Sequence, residues 1–165
     1  MGSTDLRPLQ NTPSTTKISQ HNNNRLGSVY SSLHGFWVSR QATLNAVGQN
    51  VAVPRRDAYS VILFQSSATT CISNDFTGSP DDLLGGIVSY RAGGGCNYTG
   101  ALIAAQSLMV QHWSDERYAI AQAVSCSRLR LTFQRSPVLI FLSDGECSVS
   151  DATVRSVCRA AIDRG

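Results

Sequence analysis

The residues best suited to chemistry are oxygen donors in two short stretches. Asp144 lies in the turn Ser143-Asp144-Gly145, directly after the apolar run Pro137-Val138-Leu139-Ile140-Phe141-Leu142. Asn97 and Thr99 lie in a glycine-rich loop, Arg91–Gly100, just ahead of a helical pattern. One carboxylate with neutral oxygens and waters is a donor set that suits Mg²⁺, a hard cation that keeps several waters. The competing reading is that Asp144-Gly145 is only a turn pair, and spacing alone does not separate the two. Other chemistries are poorly provided for. Gly95 and Gly100 have the spacing of a phosphate-binding loop, but Ala101 and Leu102 stand where Lys and Ser/Thr are required. Tyr98 replaces the third glycine of a dinucleotide fingerprint. There is no Gly-x-Ser-x-Gly elbow, and His21, His34 and His112 are scattered along the chain with no nucleophile beside them. No nucleophile–base set is visible, so an enzyme is not expected.

These donors need a scaffold, and the hydrophobic pattern outlines one. Residues 1–24 are polar, with few apolar groups to repay ordering, and read as a disordered lead-in. From Arg25 to Val47, Leu26, Val29, Tyr30, Leu33, Phe36, Trp37, Leu44 and Val47 recur at helical spacing. Tyr59–Phe64 is a short β-branched and aromatic run, and a second strand over Thr69–Ser73 pairs back as a hairpin. Ser79-Pro80-Asp81-Asp82 is a helix start with cap, proline and first-turn acids, leading a helix to about Tyr90. Ala101–Trp113 is the next helix. Pro137–Leu142 reads as a buried strand, and Asp151–Ile162 as a last helix with Val154, Val157, Cys158 and Ala161 inward. The alternation predicts an α/β class with a mainly parallel sheet. Ligands of such sheets sit at the carboxyl ends of the strands, where the glycine loop and the Asp144 turn would both fall.

The whole chain has 165 residues, 42% hydrophobic and 15% charged, which suits one domain with a real core. No run approaches the roughly 18–20 apolar residues of a membrane helix, and the N-terminal stretch lacks a signal-peptide core. The expectation is a cytoplasmic protein with reduced thiols and no membrane partner. Five cysteines without a Cys-x-x-Cys pair suggest neither a disulfide framework nor zinc. The net charge of +3 is local. Arg128, Arg130 and Arg135 fall in 118–135, a stretch with no acid, so no nucleic-acid partner is expected.

Three segments together resemble the von Willebrand factor A (vWA) domain. They are Arg56–Phe64, the loop Gly93-Gly94-Gly95-Cys96-Asn97-Tyr98-Thr99-Gly100-Ala101-Leu102, and Val138–Gly145, collinear over about 25–165. The resemblance implies a Rossmann-like, mainly parallel sheet flanked by helices. It also implies a non-catalytic interaction module that binds protein partners through a metal-ion-dependent adhesion site. In that site three loops hold Mg²⁺: an Asp-x-Ser-x-Ser, a Thr in a Gly-Gly-Thr loop, and the Asp of a Ser/Thr-Asp-Gly turn. Asp144 takes the third-loop Asp position. Cys96 stands at the second-loop Thr position, where a soft thiol is a poor substitute for a hydroxyl, and Thr99 substitutes only if the loop shifts. The Asp-x-Ser-x-Ser loop has no counterpart ahead of the Arg25 helix, and the family's first and closing strands are unmatched.

The family pattern also runs from Arg117 straight to Ser136, which makes 118–135 an insert. Its ends can be back-translated to an intron donor and acceptor, so it resembles a retained intron. The alternative is a true edge strand in which Leu129, Leu131 and Phe133 alternate with Arg128, Arg130 and Thr132. The sequence therefore predicts a partial vWA-like domain over 25–165 with impaired metal-dependent adhesion. Its partner is a protein, and no cofactor is expected, with Mg²⁺ only if the first loop were restored. The alternative is an incomplete gene product without independent function.

Overall fold

The computed structural model describes residues 1–47, 57–112, 137–145 and 147–162. The insert expected at 118–135 lies outside the described residues. In chain order the elements are α1 (Thr15–His21), α2 (Arg25–Val47), β1 (Tyr59–Phe64), β2 (Ala68–Asp75), α3 (Pro80–Ile87), α4 (Tyr98–His112) and α5 (Asp151–Ile162).

Part of the α2 stripe read from the sequence buries itself, while Phe36 is exposed and the side chains of Leu44 and Val47 lie outside the described ones. Leu26, Tyr30 and Trp37 join Ile72 of β2 and Leu83, Leu84 and Ile87 of α3 in one core. Steps of four and seven residues place those α2 side chains on a single face, as a period of 3.6 requires. Helix α3 begins as its sequence dictates. The Ser79 side chain accepts from Asp82 N, Asp82 accepts in return from Ser79 N, and Pro80 occupies the first turn.

Residues 1–24 carry α1, and their contacts with α2 are specific. Ile18 is fully buried in the core. The carbonyls of Ser3 and Met1 accept from Arg25 N and Leu26 N at 2.9 and 3.0 Å, satisfying first-turn donors that a helix cannot pair internally. Asn22 is buried, and its Nδ2 donates to the carbonyls of Val88 and Tyr90, each at 2.9 Å, while its Oδ1 has no partner. A Cβ on Gly27 would stand 1.7 Å from the Asn22 carbonyl oxygen, so only glycine allows this approach.

The predicted sheet is the main correction. Among the described residues the only sheet is β1 paired antiparallel with β2, with Val61 opposite Ile72 and Phe64 opposite Ala68. The α/β, Rossmann-like, mainly parallel sheet, whether or not it lacks first and closing strands, is not the architecture. Among the described residues there are instead five helices and one hairpin. Pro137–Leu142, expected as a buried central strand, has no ladder partner among the described residues, and Val138 is 82% exposed and Ile140 68% exposed. The reason is that an apolar run reports what its side chains prefer and not which backbone will pair with it. The hairpin expected at Thr69–Ser73 is present and slightly longer, because its turn is local and closes with Gln65 N donating to Ser67 O at 2.9 Å.

On α5 the inward face differs from the one read. Val157 and Ala160 are buried, whereas Val154 and Cys158 are exposed. Among the described residues no helix is long and apolar enough to cross a membrane.

Candidate functional site

The end of β1, the glycine loop and the Asp144 turn meet in space around Tyr98. Asn97 N donates to Gln65 O at 2.8 Å, Asn97 Nδ2 to Ser66 O at 3.2 Å, and Gly95 N to Ser66 Oγ at 3.2 Å. The glycine loop is thereby tied to the β1–β2 turn. Gly94 makes this possible with φ +74, beyond the ordinary range of a side-chain-bearing residue, and a Cβ there would stand 3.1 Å from Gln65 Oε1. Asn97 also starts α4, since its Oδ1 accepts from Gly100 N at 2.8 Å.

Tyr98, the first residue of α4, ties the loop to the Asp144 turn. Its hydroxyl hydrogen-bonds Ser143 Oγ and donates to the Gly145 carbonyl. Its ring meets Phe64 and Phe141 edge-on, with centroids 5.7 and 5.2 Å away, while Phe64 and Phe141 stack at 5.1 Å. Aromatic contacts of this kind contribute about 0.5–1.5 kcal/mol per pair beyond the area they bury. Three rings from three segments thus hold the cluster together. Sequence reasoning assigned Tyr98 no role, and the only hint was its position between two residues that were assigned one.

Asp144 faces cations. Its Oδ2 pairs with the Met1 ammonium and stands 3.7 Å from Arg25 Nη1. Arg25 in turn grips Asp5, with Nε donating to Oδ1 at 2.7 Å and Nη2 to Oδ2. These bonds hold the Asp5 carboxyl well below the usual carboxylate range, the Arg25 hydrogen bond first and Ser3 second, and they raise the Arg25 guanidinium. Cys96 is exposed, with its carbonyl accepting from Cys147 Sγ at 3.0 Å. Thr99 is half-buried one residue into α4 and makes no hydrogen bond to the turn among the described residues.

Comparison with protein-family models, with curated proteins and with solved structures gives no match. The site must be judged on its own donors.

As arranged, those donors do not fit Mg²⁺. The one carboxylate of the three candidates is already paired with the Arg25 guanidinium, the second is a thiol, and the third makes no hydrogen bond to the Asp144 turn among the described residues. Among the described residues no three His, Cys, Asp or Glu side chains gather in one cluster. Two histidine contacts also escaped the sequence. His34, buried on α2, has Nε2 3.1 Å from Asp81 Oδ1 at the start of α3, and His112 Nε2 stands 3.0 Å from Ser73 Oγ. Their partners are 47 and 39 residues away along the chain, so no local spacing could reveal them. A serine–imidazole contact is one component of a nucleophilic site. Ser73 is exposed on β2, and such catalysis draws its strength from a site that excludes water.

Proposed function

We propose that the chain is a non-catalytic protein-interaction module, in which the three vWA-like segments serve as a binding surface independent of a metal ion. The observation that carries this reading is the apolar run Val138–Leu142. It is exposed over its whole length, and among the described residues the Phe141 ring anchors it against Phe64 and Tyr98. Contiguous exposed apolar surface marks interaction sites. The run belongs to neither a helix nor a strand, and among the described residues its donors and acceptors are not used in a ladder. The occupant it fits is an extended, uncharged apolar segment of a partner protein, added as a strand. Asp144 supports the metal-independent part, because its carboxylate is already paired with the Arg25 guanidinium.

The test is amide hydrogen exchange on the full chain, free and with a library of extended apolar peptides. The expected result is fast exchange at Val138–Leu142 in the free chain and slower exchange with a bound peptide, unaffected by EDTA. Ile140→Asp should abolish binding while the thermal midpoint holds. Protection of these amides in the free chain, whether from internal pairing or from a second copy, would overturn the reading. So would a peptide library that gives no binder, or binding that EDTA removes.

A further inference from the structure

The turn carrying Asp144 and the glycine loop each bring a cysteine to their junction. Cys147 Sγ stands 3.0 Å from the carbonyl oxygen of Cys96, which places it within about 6 Å of the Cys96 Cα. The Cys96 sulfur leans the other way, lying 3.6 Å from the point a Cβ would occupy on Gly145, two residues before Cys147. Each thiol therefore points into the loop that carries the other. Both are free, Cys96 is exposed, and Cys147 is half-buried. The junction is also held in register. Tyr98, two residues after Cys96, bonds the Gly145 carbonyl, two residues before Cys147. A disulfide needs Cα atoms about 4.4–6.8 Å apart. The sulfur–carbonyl contact holds these two within about 8 Å, so closure asks for a side-chain rotation and a loop shift of about 1–2 Å at most.

We propose that Cys96 and Cys147 form an oxidation-closed pair, a modification site that locks the glycine loop to the Asp144 turn. With oxidised glutathione as oxidant, the Cys96 thiolate attacks one sulfur and expels one glutathione thiolate, leaving a mixed disulfide on Cys96. The Cys147 thiolate then attacks the Cys96 sulfur and expels the second glutathione. Two protein thiols lose two protons and two electrons, and oxidised glutathione becomes two reduced glutathione molecules. Cys96 is the entry point because it is the more exposed of the two. The closed bond would span the base of the junction and fix Tyr98, Ser143 and Asp144 relative to the β1–β2 turn. The role is separate from strand addition at Val138–Leu142, since the cysteines flank that run without belonging to it.

The experiment is a titration of the full chain with glutathione redox buffer, followed by thiol counting and peptide mapping without reduction. Two of the five thiols should disappear, and one linked pair of peptides should contain Cys96 and Cys147. The thermal midpoint should rise by roughly 5 °C or more on closure, because the bond ties a long loop. Cys147→Ser should stop at a glutathione adduct on Cys96, and Cys96→Ser should give no internal bridge. The double variant Cys71→Ser/Cys158→Ser should close as the parent does. Linkage chiefly to Cys71, Cys126 or Cys158, intermolecular dimers in place of the internal bridge, or a stable Cys96 adduct in the parent chain would overturn the proposal.

Discussion

At the scale of single residues, charge decides what the site is. Asp144 was the one residue that the sequence resemblance set at a ligand position, and its identity and its place after an apolar run were readable directly. What could not be read was the company it keeps. Arg25 lies 119 positions earlier in number, and nothing in local spacing joins the two. Adding Mg²⁺ to millimolar levels should leave the thermal midpoint unchanged, and Cys96→Thr alone should not alter that. A single-site micromolar isotherm by titration calorimetry would contradict both statements. The Asp5–Arg25 pair makes a second expectation, with a definite sign. Asp5 is held below its unfolded value, so its contribution is fully present above about pH 4. That contribution is lost as pH falls toward the lower folded value. Asp5→Asn should therefore flatten the acid side of a stability–pH curve and leave neutral pH less stable than the parent. The pair is exposed, so salt should shrink the difference. Urea titrations at several pH values, with and without added NaCl, measure it.

Among the elements, helices α2 to α5 and the hairpin were legible because each depends on signals within a few residues. The Ser79–Asp82 box, the α2 stripe and the β1–β2 turn all close locally. Pro137–Leu142 was misread because a buried strand and an exposed apolar segment carry the same side chains, and only distant backbone distinguishes them. Residues 1–24 pose the reverse problem. Their composition is that of an unstructured tail, yet one apolar residue in the right place, Ile18, joins the core beside Leu84 and Ile87. Ile18→Ala removes a fully buried side chain and should cost about 2–4 kcal/mol in urea unfolding. A change under about 0.5 kcal/mol, the size typical of a surface substitution, would mean that the lead-in does not dock. Gly27→Ala is a sharper test of the same joint. The added methyl meets the Asn22 carbonyl, so α1 and α2 must separate or α2 must unwind at its start. A clear fall in thermal midpoint is expected, and an unchanged midpoint would show that the approach is looser.

For the whole molecule, the contacts divide sharply by the length of chain they close. The hairpin and the capped helix α3 close loops of a few residues. The Asn22 amide reaches carbonyls 66 and 68 residues on, Tyr98 reaches Gly145 across 47, and the Met1 ammonium meets Asp144 across 143. Long closures cost entropy before they return any contact energy, which slows the steps that depend on them. Folding should therefore begin at the hairpin and the capped helix α3, and the junction that carries Asp144, which Arg25 reaches from 119 positions away, should assemble last. Tyr98→Phe removes the hydroxyl that ties the loops but keeps the ring, so it should speed unfolding and hardly touch the refolding rate, a φ-value near zero. On that schedule a nascent chain holds Val138–Leu142 before anything fixes its position, and the time between those two events sets how long this apolar run is open to capture by other chains.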